Sequence, residues 1–145
     1  MRNPTAFLQE EYRELVDKDL DWKLKVLQGA STPRATVDGK KDVLMFCSNN
    51  YLGLSVHPKV VQAAMDAARI LGAGSGSVRP IAGNMDLHIQ LERRLAKFKH
   101  AEASLVYQTG YMANSGLIPQ LAPSKEDVIV SDELNHGSII DGVRL

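Results

Sequence analysis

The chain has 145 residues, 44% hydrophobic and 23% charged, with 17 basic against 17 acidic side chains and a formal net charge of zero. This is the balance of an ordinary globular protein with room for one core, and it excludes recognition of nucleic acid or an anionic membrane through bulk charge. The single cysteine, Cys47, excludes an internal disulfide framework and has no metal-ligand spacing around it.

No apolar run reaches the roughly 18 residues that a membrane span requires. Glu10, Glu11, Glu14 and Asp17 are foreign to a signal or transit peptide. A soluble cytoplasmic protein is the expectation. At the far end Asp141, Val143 and Leu145 continue a helical pattern with no stop signal, so the chain is expected to be the N-terminal part of a longer protein.

Residues 4–20 predict an amphipathic helix, with Leu8, Tyr12, Leu15 and Val16 on one face and Glu10, Glu11, Arg13, Glu14 and Asp17 on the other. Its expected role is peripheral packing. After the break at Gly29-Ala30-Ser31-Thr32-Pro33, residues 34–37 and 43–46 read as strands around Asp38-Gly39, a favoured tight-turn pair. The hairpin leads into a loop, Cys47-Ser48-Asn49-Asn50-Tyr51-Leu52-Gly53-Leu54. Its two asparagines serve either as turn formers or as amide groups facing a ligand carboxylate.

His57-Pro58 opens the next helix, where proline at the first position costs no hydrogen bond, and Gly72 is a natural stop. His57 reads as a cap. The glycine-rich segment 72–80 is not a dinucleotide fingerprint: Ser77 stands where the third glycine belongs, and the segment follows a helix rather than a strand. Arg79 either pairs with an anion or is a solvated surface arginine. A further helix, capped by Asn84 or Asp86, stacks Leu87, Leu91, Leu95 and Phe98 along one side, with His88 as a first-turn surface group.

Residues 104–107 predict a buried strand, and Tyr111 begins a helix that Pro119 and Pro123 end. The turn Gln108-Thr109-Gly110 lies at that helix's N-terminus, where unpartnered N–H groups and the helix dipole suit an anion such as phosphate. The same turn equally suits an ordinary strand-to-helix connection. Residues 127–131 predict a second buried strand, and His136 follows its carboxyl end, on the sheet edge where Thr109 and Gly110 lie. The alternation of helices and strands from His57 onward predicts an α/β fold with a mostly parallel sheet.

In order along the chain, Cys47-Ser48-Asn49-Asn50-Tyr51-Leu52-Gly53-Leu54, His57-Pro58, Ser77-Val78-Arg79, His88 with Leu91-Glu92, Thr109-Gly110-Tyr111, and the run from Ser131-Asp132 through Asn135-His136-Gly137-Ser138 to Asp141-Gly142 resemble the α-oxoamine synthases. The resemblance runs from about Val37 to the end of the chain. It implies pyridoxal phosphate (PLP) as cofactor and the fold type I architecture of aspartate aminotransferase. Residues 1–55 would form the N-terminal helix, hairpin and substrate loop, and residues 56–145 the beginning of the large PLP-binding domain. It further implies that Thr109, Gly110 and Tyr111 lie at the PLP phosphate, that His136 stacks on the pyridine ring and contacts substrate as the catalytic histidine, and that Asn49 contacts the amino-acid carboxylate. Lys23 or Lys25 would face the acyl-CoA. Partners implied are an amino acid, an acyl-CoA and a second copy of the chain in a homodimer, with no metal, nucleic acid or membrane.

Family members join glycine to acetyl-CoA, alanine to pimeloyl-CoA on the way to biotin, glycine to succinyl-CoA, or serine to palmitoyl-CoA. Residues 47–51 and Ser77-Val78-Arg79 look closest to the glycine C-acetyltransferase group (2-amino-3-ketobutyrate CoA ligase), with 8-amino-7-oxononanoate synthase as the alternative. A reading of another class is an accessory subunit or fragment without the Schiff-base lysine. That lysine, and the aspartate that pairs with the pyridine nitrogen, are expected beyond residue 145. The 145-residue chain alone should therefore form no specific lysyl adduct when treated with PLP and borohydride and analysed by mass spectrometry. A stoichiometric adduct at one lysine would overturn this.

Overall fold

Two left-handed residues shape the one sheet found among the described residues, which in this computed structural model are residues 3–145. Asp38 (φ 49°) and Gly39 (φ 77°) close the turn between β2 (Arg34–Val37) and β3 (Lys40–Leu44), the positive-φ pair that a two-residue hairpin demands. β1 (Leu27–Gln28) pairs antiparallel with β2, giving the order β1-β2-β3. Side chains lock the turn to the first strand. The Asp38 carboxylate accepts from the Val26 N–H at 2.9 Å, and the Gln28 carbonyl accepts from the Gly39 N–H at 2.8 Å. The first of these bonds holds the Asp38 carboxyl below its usual pKa.

The chain divides into two units, Met1–Gly72 and Ala73–Leu145. In the first, α1 (Ala6–Asp17) is shorter than its apolar pattern, because the chain turns into a left-handed conformation at Asp19 (φ 53°). Its apolar face is present but uncovered: Phe7, Leu8, Tyr12 and Leu15 are all exposed. After a one-turn 3-10 segment (Leu54–Val56), α2 (Pro58–Leu71) begins as the sequence predicts. Proline is at its first position, and the His57 Nδ1 accepts from the Lys59 N–H at 3.2 Å. It ends on Gly72 (φ 83°).

In the second unit a short π-helical turn (Arg79–Gly83) folds back over the glycine-rich loop. Gly83 is obligatory there, since a Cβ would overlap the Ser77 carbonyl oxygen. α3 (Asp86–Lys99) is capped by neither Asn84 nor Asp86. Met85 is its N-cap residue, and the His88 Nδ1 reaches back to accept the Met85 N–H at 3.1 Å. α4 (Gly110–Leu121) passes through Pro119, which removes only the bond to the Ser115 carbonyl and lies near the last turn, so the helix runs on to Leu121. α5 is Gly137–Arg144.

The two segments expected as parallel strands, 104–107 and 127–131, pair with no neighbour among the described residues. A strand exists only through a partner that takes its N–H and C=O groups. At Val106 those groups go to side chains instead: the Glu92 Oε1 accepts the N–H at 2.9 Å, and the Arg79 Nη1 donates to the carbonyl at 3.3 Å. Val128 and Val130 stand 84% and 94% exposed, the opposite of the buried strand expected.

Buried hydrophobic residues among those described are Ala35 and Ala96, and no large side chain is fully buried. Uncovered apolar surface on this scale is rare in a stable monomer. The 145-residue chain alone should bind a hydrophobic dye and unfold without a sharp thermal transition. A cooperative melt without dye binding would contradict this.

Candidate active site

The candidate residues of the second unit meet where α4 and α5 pack together. Thr109 is the N-cap of α4, and its Oγ1 accepts from the Met112 N–H at 3.1 Å. Extended backbone at Thr109 (φ −142°, ψ 158°) turns the chain sharply into Gly110 and the helix. The earliest N–H groups of α4, on Gly110 and Tyr111, have no protein acceptor among the described residues. A Cβ built on Gly110 meets nothing within 4 Å, so a ligand can reach the backbone directly.

His136 is the N-cap of α5. Its Nδ1 accepts from the Ser138 N–H at 3.2 Å and lies 2.7 Å from the Ser138 Oγ. Ser138 is 2% exposed, and its Oγ accepts from the Asn114 Nδ2 of α4 at 2.9 Å. A second bond crosses between the helices. The Tyr111 hydroxyl donates to the Asp141 Oδ2 at 3.0 Å, which raises the Tyr111 pKa above that of a free phenol. Backbone contact is close as well: a Cβ on Gly142 would lie 2.8 Å from the Asn114 carbonyl oxygen and 3.1 Å from the Ile118 Cδ1. The structure thus joins Thr109, Gly110, Tyr111 and His136 through one helix pair.

An open depression of about 510 Å³ borders this helix start, lined in part by Gln108, Met112, Val78 and His88. Arg79, which also lines it, forms a two-point ion pair with Glu92 at 2.6 and 3.1 Å. The Arg79 Nε donates to the Asn84 Oδ1 at 2.9 Å, and the Ser104 hydroxyl donates to the Glu92 carbonyl at 2.7 Å. The alternatives open for Arg79 resolve here: it pairs with an anion, and the anion is protein. Hydrogen bonds from Arg79 and then from the Val106 N–H bring the Glu92 carboxyl from its ordinary 4.5 down to about 2.

Asn49 lies in the first unit. The two asparagines have different environments. Asn50 is part-buried, donates to the Ser31 carbonyl at 3.0 Å and accepts from the Ser55 N–H at 3.2 Å, as a turn former does. Asn49 is exposed, and its Oδ1 meets the Tyr51 hydroxyl at 3.3 Å. Lys23 and Lys25, the expected acyl-CoA contacts, are exposed beside Asp21 and Asp38, at 3.8 and 3.3 Å.

Glu92, Ser138 and Asp141 stand in the motifs quoted from the sequence but were given no role there, and Asn114 was not singled out at all. Ser138 and Gly142, four apart and both small, do mark a face of α5 suited to close packing. Glu92 lies 13 residues from Arg79 and gave no such signal.

Residues 41–145 match the family described as aminotransferase class I and II. The chain belongs to that family. Among its relatives are the 8-amino-7-oxononanoate synthases of Symbiobacterium thermophilum (50% identity over 141 residues, 97% of this chain and 36% of that protein) and Thermoanaerobacter pseudethanolicus (51% over 139, 96% and 35%). The 8-amino-7-oxononanoate synthase 1 of Bacillus subtilis is 45% identical over 145 residues, 100% of this chain and 36% of that protein. Of solved structures, the serine palmitoyltransferase of Sphingomonas wittichii superposes with a TM-score of 0.81 at 29% identity, over 97% of this chain and 36% of the other. One described as "SPT with PLP" gives 0.81 at 30%, over 97% and 35%. The fold is therefore the N-terminal portion of the class I and II aminotransferase architecture. The chain spans about a third of the length of the relatives it matches.

The ion pair in this aminotransferase-family chain carries a pH signature. Glu92 holds its proton less readily when folded than when unfolded, so the pair stabilises the fold above the ordinary carboxylate range. That stabilisation is lost as pH falls from 4.5 towards 2. Glu92→Gln in the protein that carries this chain should lower the melting temperature near neutrality and flatten its decline across that window. An unchanged acid limb would show that the pair contributes nothing.

Proposed function

We propose that the protein carrying this chain is a pyridoxal-phosphate-dependent acyltransferase that joins an amino acid to the acyl group of an acyl-CoA and releases coenzyme A. The observation that carries the reading is the pair of neighbouring helix starts, Thr109-Gly110-Tyr111 on α4 and His136 on α5, tied by the Asn114–Ser138 and Tyr111–Asp141 bonds. The residues fit the cofactor. A phosphate dianion suits the N-terminus of a 12-residue helix whose first N–H groups are unpartnered and whose Gly110 leaves open space. An exposed imidazole at the next helix start suits the face of a flat heteroaromatic ring.

Thr109, Gly110 and Tyr111 would then bind the phosphate, His136 would hold the ring and orient the substrate, and the Asn49 amide would serve the substrate carboxylate. When bound, pyridoxal phosphate supplies the electron sink that lets the α-proton of the amino acid leave. The relatives whose names include PLP or a PLP enzyme of this fold support that cofactor.

Alanine with pimeloyl-CoA is the favoured substrate pair, supported by the 8-amino-7-oxononanoate synthases at 45–51% identity. The preference for glycine and acetyl-CoA drawn from the sequence rests on Val78 and residues 47–51, and none of the relatives above supports it. A single exposed valine is a weak reporter of an acyl group. The same reading includes a cytoplasmic homodimer, with residues 1–55 and 56–145 as its substrate segment and the start of its cofactor domain.

The test is coenzyme A release by the protein expressed from the complete reading frame around this chain, with alanine or glycine against pimeloyl- or acetyl-CoA. Alanine with pimeloyl-CoA should give the highest kcat/KM, by about tenfold or more, the discrimination of one well-placed contact. Release only with glycine and acetyl-CoA would replace the substrate pair, and no release with any pair would overturn the reading.

A further inference from the structure

We propose that Ser138 and Asn114 are positioning residues for His136: the Ser138 N–H fixes the tautomer, and the link from the Asn114 amide through the Ser138 hydroxyl fixes the tilt, so that the imidazole presents Nε2–H, a hydrogen-bond donor, to its ligand. The tautomer follows from the hydrogen bonds alone, while its use in substrate orientation rests on the function proposed above.

The argument starts at a backbone group. The Ser138 N–H can only donate, and its acceptor is the His136 Nδ1 at 3.2 Å. A proton on Nδ1 would leave both hydrogens pointing at each other, so Nδ1 keeps its lone pair and the neutral ring carries its proton on Nε2. The Ser138 hydroxyl reinforces the choice. It lies 2.7 Å from the same Nδ1, and its oxygen is already taken as acceptor by the Asn114 Nδ2 at 2.9 Å, so its hydrogen is directed to the ring. Ser138 is 2% exposed, which keeps water from replacing either bond. The order is therefore directional, from the Asn114 amide to the Ser138 hydroxyl to the His136 Nδ1. It begins on the helix whose N-terminus forms the phosphate cradle and ends on the ring at the next helix start.

Two properties follow. The ring cannot rotate freely about χ2, because that would break two bonds at Nδ1 together. The remaining nitrogen, Nε2, has no acceptor among the described residues and its ring is exposed. An Nε2–H in that position selects an acceptor on the ligand, which in the proposed reaction is an oxygen of the amino-acid carboxylate. With the other tautomer the same nitrogen would offer a lone pair and repel that oxygen.

The test uses the protein from its complete reading frame, with 15N-labelled histidine imidazoles. Long-range proton–nitrogen correlation spectra distinguish the two tautomers, and His136 is assigned by its loss in His136→Gln. His136 should show the Nε2–H pattern. Ser138→Ala and Asn114→Ala keep the backbone N–H at Nδ1, so the Nε2–H form should remain while its resonances broaden as the ring tilts, and the KM for the amino acid should rise about tenfold, the worth of one hydrogen bond, with kcat changing less. Ser138→Thr, which restores the hydroxyl, should recover the sharp Nε2–H pattern and the KM together. A wild-type ring protonated on Nδ1 would overturn the proposal, as would alanine variants that keep both the wild-type pattern and the wild-type KM. An Nε2–H pattern that both alanine variants disturb, in a protein that shows neither a PLP absorption band nor coenzyme A release, would support the hydrogen-bond assignment while removing the proposed function.

Discussion

The contact between α4 and α5 is the constraint on which the site depends. It packs the start of each helix against the other, Tyr111 against Asp141 and Ser138 against Asn114, and it exists because Gly142 has no side chain: a Cβ there would stand 2.8 Å from the Asn114 carbonyl oxygen. Helices that approach this closely align by backbone shape, and polar bonds between them then act as fixed pins. Asn114–Ser138 and Tyr111–Asp141 are those pins. Neither is worth much in isolation, but together they set where the imidazole stands relative to the free N–H groups of Gly110 and Tyr111.

A second fixed point lies behind the first. Arg79 and Glu92 join the turn after the glycine-rich loop to α3, and through Val106 to the segment that runs into Thr109. A charged pair with two short bonds is rigid because the guanidinium and carboxylate planes fit each other in one arrangement. The start of α4 is therefore approached by a segment whose path is already fixed, which suits the phosphate proposed for that backbone.

Legibility in the sequence followed the range of the interactions. The Asp38-Gly39 turn, the Pro58 start and Gly72 stop of α2, and His57 as a cap rest on contacts within a few residues, and each was readable. The Thr109-Gly110 helix start was readable for the same reason, since capping is local chemistry. The strand assignments at 104–107 and 127–131 rested on apolar content alone, whereas a strand needs partners that these residues do not supply to one another. The Arg79–Glu92 pair and the Asn114–Ser138 link span 13 and 24 residues, and nothing in residue type announces such a meeting. Asn49 and Asn50 were a single ambiguous motif until the backbone assigned one of them to the turn. The choice of acyl group was the least legible, since it hung on two short segments, residues 47–51 and Ser77-Val78-Arg79, of which Val78 is exposed.

The bonds at Val106 bear on how a larger sheet can be assembled. In an extended chain the N–H and C=O of one residue point to the same side, and those of its neighbours point to the other. Both groups of Val106 are engaged by a single ion pair, so one flank of residues 104–107 is sealed by charge. A strand joining this segment must bond to Leu105 and Tyr107, from the opposite flank. The Arg79–Glu92 pair thus marks residues 104–107 as the border of any sheet built on them, and a border closed by a part-buried ion pair is one to which a stray strand from another molecule does not add.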